Sequence, residues 1–292
     1  MLSICIPHFN YQNPLLFNTL KEQCERLRLK FEILIIDDAS QNNKKKYLQQ
    51  FERKPFRIIY LDKNIGRSAI RNLLAKEAAY GLLLFLDADG KIEDHNFIKT
   101  YLDNIKADIV SGGRAYADLK PDNNHFLHWN YGFNIESKNQ GFFHSNNFMI
   151  RKSVFDNLRF GEQIKDYGYE DVVFGLEAKL LGISMAIINN KVIHDDLKNN
   201  RLFLNDVDQS LINLLKIIDI KKQLQIVDFV GISKRYKFLG KFYLTNLLSI
   251  KNSSITEKIR GLLIENPTKN SNLMLTIYKL YKYHQIRLKQ KN

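Results

Sequence analysis

Four short apolar runs recur through the first 110 residues, LSICIPHF, FEILIIDD, FRIIYLD and LLLFLDAD, with helical patterns between them. That alternation excludes most folds. Strand-forming runs joined by stretches long enough for a crossover helix predict an α/β chain with parallel strands and helices on both faces. Pro14 opens a helix whose Leu16, Leu20, Cys24 and Leu27 form one apolar stripe, and further helices are expected near 43 to 53 and 67 to 80. Ligands in such sheets bind beyond the carboxyl ends of the strands. The first, second and fourth runs end in PHFN, DDAS and DADG, so their polar residues should gather along one edge.

Residues 113 to 145 lose periodicity and collect Asn, His, Gly and aromatics, as a substrate-facing loop would. Order returns with HSNNFMIRKSVF, a helix from about 170 to 181, and strands ISMAIIN and KVIHDD. After residue 200 the pattern is helical: Val207, Leu211, Leu214, Leu215 and Ile218 share a face, and Ser254 with Glu257 reads as a capping box. At 292 residues the chain suits one large α/β domain with an appendage, or two modest domains. The division falls near 196, with 1–112 and 113–196 as halves of the body and 197–292 as a helical extension.

Charge follows the same division. Residues 1–196 hold 26 Lys and Arg against 25 Asp and Glu; 197–292 hold 18 against 6, which accounts for nearly all of the net +13. A basic tail beside a neutral body serves nucleic acid, anionic lipid or solubility. Aromatics interleaved with Lys in SKRYKFLGKFYLTNLL and TIYKLYKYHQIRLKQK suit a membrane interface, where polar tips stay wet while the rings sink; a helical subdomain with a solvated basic face fits equally. No stretch approaches the roughly 18 apolar residues of a spanning helix, and MLSICIPHFN lacks the flank of a signal peptide, so a cytoplasmic location is expected. Cys5 and Cys24 have neither metal-ligand spacing nor a disulfide framework and read as core.

The acids carry the chemical question. Asp87 and Asp89 stand one residue apart, and two carboxylates this close repel unless a cation lies between them; a solvated Asp-Gly turn is the alternative. Asp37 and Asp38 close the second strand, where a carboxylate can accept the imide hydrogen of uracil or cap a helix. Phe9 could stack on a base or fill a core. Arg67 and Arg71, one helical turn apart, could meet phosphate. Glu170 and Asp171 open a helix, favoured there by its dipole and also placed to act as a base toward a hydroxyl. His194 ends a strand, where it is either structural or a nitrogen ligand to a metal at Asp89.

Taken together, SICIPHFN, EILIIDDAS, NIGRSAIRN, LLLFLDADG, SNNFMIRKSVF and GYEDVVFGLEAKLLG resemble, in order, the segments of glycosyltransferase family 2, the inverting enzymes of GT-A fold. The resemblance runs from the first strand to about residue 195. It implies a Rossmann-like, mixed but mostly parallel sheet flanked by helices, and transfer of a sugar from a UDP-sugar donor to a glycan or lipid-linked glycan acceptor in cell-surface polysaccharide synthesis. Carried over to the matching positions, Pro7, Phe9, Asp38, Asn64, Arg71 and Asp87 would bind the nucleotide sugar, Asp89 and His194 would hold Mn²⁺ or Mg²⁺, Asn146, Asn147 and Glu170 would lie on the acceptor side, and Asp171 would be the catalytic base. PHFN stands where Thr-Tyr-Asn is commoner after the proline, leaving the role of His8 open, and Tyr169 is inserted before Glu170. Nucleic acid is not expected as a partner; an anionic membrane surface stands as one candidate, through the extension.

Two rivals stand beside that reading. LLLFLDADGK also looks like the opening motif of haloacid-dehalogenase phosphatases, but Lys91 stands where that family usually has Thr, and Asp37 and Asp38 precede the motif instead of following it. A basic binding module without catalysis explains the tail but not the ordered acids.

Overall fold

The computed structural model describes residues 1–138, 143–164, 167–249 and 252–291. The chain gathers into two compact units. The first comprises Met1–Ala117, Ser137–Lys165 and Glu170–Asp196; the second comprises Asp118–Glu136, Asp166–Tyr169 and Leu197–Asn292. The second unit thus takes in Asp118–Glu136, part of the stretch read from sequence as half of the body.

In the first unit the elements run β1 (Leu2–His8), α1 (Pro14–Arg26), β2 (Phe31–Asp37), α2 (Asn42–Gln49), β3 (Phe56–Tyr60), α3 (Gly66–Glu77), β4 (Leu82–Leu86), β5 (Gly90–Lys91), α4 (Phe97–Asp103), β6 (Ile109–Ser111) and β7 (Arg114–Ala115). After α5 (Phe126–Tyr131), which belongs to the second unit, come β8 (Asn147–Arg151), α6 (Lys152–Asn157), α7 (Glu170–Leu180), β9 (Met185–Ile187) and β10 (Val192–His194). Seven strands form a sheet in the order β3-β2-β1-β4-β8-β6-β9, and β5-β10-β7 form a small second sheet. The run β3-β2-β1-β4 is parallel, whereas β8 lies antiparallel to both β4 and β6. The sheet is therefore mixed, because β8 enters from the opposite end.

Both faces of the sheet are covered, which is why its strands are apolar at successive positions and not only at alternate ones. Ile4, Ile6, Ile33 and Ile35 pack with Leu16, Phe17, Leu20 and Cys24 of α1 and with Phe97 and Ile98 of α4. On the other face Cys5, Leu34, Ile36 and Phe85 meet Ile70 and Leu74 of α3, Phe155 of α6 and Phe174 of α7. Both cysteines are buried and unbonded, each in one of these layers.

Asn13 fixes the start of α1. Its side chain accepts from Leu16 N–H at 3.1 Å and donates to the carbonyls of Ala88 and Gly90 at 3.1 and 2.9 Å, tying the helix to the turn after β4. Loss of a cap and of two bonds to backbone should lower stability in Asn13→Ala by about 1–2 kcal/mol, measurable as a reduced urea midpoint.

The second unit is helical: α5, α8 (Asn200–Ile220), α9 (Gly231–Lys241), α10 (Asn252–Glu265) and α11 (Ser271–Lys291). The loop expected over 113–145 is replaced in part by α5 and a π-helical turn at Gly132–Glu136, and Phe126, Leu127 and His128 are buried. A six-residue helix is too short to declare itself by periodicity. On α8, Val207, Leu211, Leu214 and Leu215 are buried as expected, but Ile217 takes the core position and Ile218 is half-buried. Because α10 begins at Asn252, Ser254 lies inside the helix and cannot cap it, which removes the capping box with Glu257. Asp208 binds this unit together, meeting Arg260 Nη1 at 3.0 Å, the Tyr278 hydroxyl at 2.8 Å and Lys282 Nζ at 3.6 Å. Among the described residues no helix is long and apolar enough to cross a membrane.

Candidate active site

Strand β1 lies between β2 and β4, and the chain builds outward from it in both directions. At such a switch point the loops leaving adjacent carboxyl ends part and leave a crevice. PHFN, DDAS and DADG leave the sheet there, as the sequence implied. Pro7 is half-buried within β1, opposite Ile36. Phe9, just past the strand, is 52% exposed, so it is not a core residue.

The two acids ending β2 differ in their surroundings. Asp37 is buried, bonded to His8 Nδ1 at 2.8 Å and to Ser40 N–H at 3.0 Å. Burial pushes its carboxyl upward, but the bonds from His8 and Ser40 outweigh this and hold it below the usual range. His8, whose role the sequence left open, is thus buried between Asp37 and the Tyr11 carbonyl at 2.5 Å. Asp38 accepts from the N–H groups of Ile65 at 2.7 Å and Gly66 at 3.1 Å, and its own carbonyl accepts from Asn64 Nδ2 at 3.2 Å. It caps the start of α3 from a neighbouring strand, and burial raises its carboxyl despite those donors.

Helix α3 then delivers two arginines. Arg71 is 3% exposed; its Nη2 meets Asp87 Oδ1 at 2.8 Å and its guanidinium lies 5.5 Å from the Phe160 ring centroid. Arg114 Nη2 approaches the other Asp87 oxygen at 3.9 Å. The charge of Asp87 is therefore met by two guanidinium groups, so its closeness to Asp89 does not by itself require a metal ion. Arg67, on the same helix, places Nη1 3.7 Å from Glu170 Oε1.

Asp89 is held separately. Its Oδ2 lies 3.1 Å from His194 Nδ1, and its carbonyl accepts from Asp195 N–H at 3.1 Å. This contact follows from the pairing of β5 with β10, which sets Gly90 opposite His194. A Cβ on Gly90 would come within 2.5 Å of Val192 Cγ1, so only glycine allows the two strands to approach. Burial pushes the Asp89 carboxyl up, but His194, Arg114 and Arg67 prevail and hold it at about 2. Among the described residues no group of three or more His, Cys, Asp or Glu side chains could hold a metal ion. Asp89 and His194 are the pair here that could contribute ligands to a divalent cation, since Mg²⁺-type sites use one or two carboxylates and fill the remaining positions from outside the protein.

Glu170 and Asp171 begin α7. Glu170 is buried against Arg67. Asp171 Oδ1 accepts from Val172 N–H at 2.8 Å. Burial and the adjacent Glu170 raise its carboxyl to about 6, opposed more weakly by His144 and Arg114. Arg114 touches Asp87 and acts on both Asp89 and Asp171, while Arg67 touches Glu170 and acts on Asp89. Acids at the β4 exit and at the start of α7 are thereby joined through two arginines.

The two asparagines at the start of β8 separate. Asn146 is buried, and its Oδ1 has no hydrogen-bond partner among the described residues. Asn147 is fully buried: its Oδ1 accepts from the Tyr101 hydroxyl at 2.6 Å, and its Nδ2 donates to the Gly113 and Asn190 carbonyls at 3.0 and 2.8 Å. With every polar atom of its side chain engaged internally, Asn147 is unsuited to contact an acceptor and braces the sheet edge instead. Sequence reasoning missed Arg114, His144 and Tyr11. Arg114 follows the Gly112-Gly113 pair after β6, a signal that could have been read; His144 lies in an aperiodic stretch that carries none.

A mixed sheet that switches order beside β1, with an Asp-x-Asp turn leaving that edge and helices on both faces, defines a GT-A glycosyltransferase. The chain belongs to Glycosyl transferase family 2, whose match covers residues 3–159. That membership removes the phosphatase and the non-catalytic module as readings. A curated relative, provisionally named the teichuronic acid biosynthesis glycosyltransferase TuaG of Bacillus subtilis (strain 168), is 29% identical over 93 residues, 31% of this chain and 36% of that protein. The chain thus spans little more than a third of the length of this relative. Among solved structures, the mannosyltransferase PcManGT from Pyrobaculum calidifontis, in complex with GDP-Man and Mn²⁺, matches with TM-score 0.58 at 13% identity over 99% of this chain and 86% of its own. S. aureus TarS matches with TM-score 0.53 at 17% identity over 98% of this chain and 55% of its own. At these identities the likeness is one of fold.

Proposed function

We propose that this chain transfers a sugar, with inversion, from a UDP-sugar to a hydroxyl of a glycan or lipid-linked glycan during cell-surface polysaccharide synthesis. One feature carries the reading: two carboxylates that both feel Arg114 are driven in opposite directions, Asp171 up to about 6 and Asp89 down to about 2. Opposed shifts of this kind separate a group that takes up a proton from one that stays anionic. Asp171 is the base that receives the acceptor's proton as its oxygen attacks the anomeric carbon.

The nucleotide would lie along the carboxyl edge, Phe9 offering its exposed ring to the base and Asp38 its remaining acceptor capacity to the uracil imide. Pro7 and Asn64 shape that edge. Arg71 with Asp87 orients the diphosphate side. A Mn²⁺ or Mg²⁺ would be held by Asp89 and His194, where it supplies Lewis-acid stabilisation of the departing diphosphate. The Asn146 Oδ1, without a hydrogen-bond partner among the described residues, suits a donor on the acceptor sugar, since a buried acceptor left unmatched costs about 1–3 kcal/mol. PcManGT, of the same fold, holds a nucleoside diphosphate sugar and Mn²⁺.

The test is a panel of UDP- and GDP-sugars with and without Mn²⁺, reading released nucleoside diphosphate. Release from a UDP-sugar that rises with acceptor and metal is expected. Release confined to GDP-sugars would reassign the donor, and a rate unaffected by metal chelation would remove Asp89 and His194 from a metal role.

A further inference from the structure

Two basic, aromatic stretches of the second unit fit a membrane interface by composition, and their packing differs. On α11, Tyr278, Tyr283 and His284 are buried, Lys282 meets Asp208 at 3.6 Å, and Lys279 Nζ lies 4.1 Å from the Tyr131 ring centroid. That helix uses its aromatics and much of its charge inside the unit. The end of α9 and the 3-10 turn Leu244–Ser249 do the opposite: Phe238, Phe242, Tyr243, Leu244 and Leu247 are all 40–84% exposed. The rings of Phe238 and Phe242 lie 5.0 Å apart, tilted by 58°, and both side chains are more than half exposed.

Five large apolar side chains in ten residues form a surface of the kind that marks an interaction site. Its charge selects the partner. Lys234, Arg235, Lys237 and Lys241 are exposed around it, Lys237 being paired with Asp228 at 2.7 Å, and residues 221–249 hold six Lys and Arg against Asp228 alone. A second copy of the same face would bring like charge against like, and Leu244 and Leu247 have nothing to offer a phosphodiester chain. A cavity of about 280 Å³ opens beside the patch, lined among others by Ser233, Tyr236, Lys237, Thr245 and Arg287. Its two cations are Arg287, which lies 5.5 Å from the Tyr236 ring centroid, and Lys237, which is paired with Asp228 at 2.7 Å.

We infer that the surface formed by Phe238, Phe242, Tyr243, Leu244 and Leu247 with Lys234 and Lys241 docks on an anionic lipid bilayer, the rings and leucines entering the interface and the lysines meeting headgroups. The inference is independent of the transfer reaction, and its test does not read activity. Full-length protein is floated with vesicles of equimolar phosphatidylglycerol and phosphatidylcholine, and with phosphatidylcholine alone. Flotation with the anionic vesicles only, lost at high salt, is expected. The combined variant Phe242→Ser, Tyr243→Ser, Leu247→Ser should lower partitioning at least about tenfold. Lys234→Gln with Lys241→Gln should weaken it at low salt, whereas the same charge loss on α2, Lys44→Gln with Lys46→Gln, should not. Thermal unfolding checks that each variant folds. Independently of the serine variants, Tyr243→Trp should show a blue-shifted emission on adding anionic vesicles. A parent protein that stays unbound, an apolar variant that floats like the parent, equal loss in the α2 variant, or no emission shift would each overturn the inference. So would self-association abolished by the serine substitutions, which would assign the face to a second copy.

Discussion

Replacing Asp171 with Asn is expected to reduce transfer by about 10²- to 10⁴-fold while leaving nucleotide binding intact, because the amide keeps the shape of the side chain and loses only its capacity to take a proton. The same substitution should raise the thermal midpoint. A carboxyl whose folded pKa lies near 6, above its ordinary 3.8, binds protons more tightly in the folded state. Stability therefore falls as pH rises from about 4 to about 6 and stays reduced above that range, a cost that the neutral amide does not incur. In the parent enzyme, kcat/KM should fall as pH drops through about 6, when the base becomes protonated. Loss of activity together with loss of stability in Asp171→Asn would point to a structural residue, and a fully active variant would remove Asp171 from the mechanism.

Asp89→Ala should abolish the Mn²⁺-dependent part of the protection that UDP gives against thermal unfolding. A ligand of the native state at about a hundredfold excess over its Kd stabilises by about 2.7 kcal/mol, so the parent shift is well above measurement error. The variant should retain its fold, since β5 and β10 still pair through Ile193 opposite Lys91 and His194 opposite Gly90. His194→Ala should weaken the same protection and leave metal-free UDP binding unchanged. Equal protection by UDP in parent and Asp89→Ala, with metal present, would place the cation elsewhere.

Much of the first unit is legible in the amino-acid sequence. β1 to β4 and α1 to α3 lie where the apolar runs and helical patterns put them, because strands covered on both faces are continuously apolar and crossover helices keep a stripe. The fold class follows from that order, and the motif series points to the family that the chain matches. Elements of two or six residues, such as β5, β7 and α5, are not readable, since such short elements carry no period of their own and the strands among them find their pairing partners far away in the chain, whereas β9 and β10 fall within ISMAIIN and KVIHDD.

The candidate site divides in the same way. The order of residues dictates which acids stand at which strand and helix ends, because strand exits and helix starts are local events governed by apolar runs, prolines and caps. Their partners come from the folded chain: Asp87 faces Arg71 and Arg114, Asp38 caps α3, Asn147 is engaged within the sheet edge, and the end of α9 is exposed while α11 is packed. A side chain's residue type is written in the chain, but the charges, donors and apolar surfaces that set its pKa and its accessibility come from segments tens of residues away, brought beside it by the folding of both faces onto the sheet and of the helices onto one another.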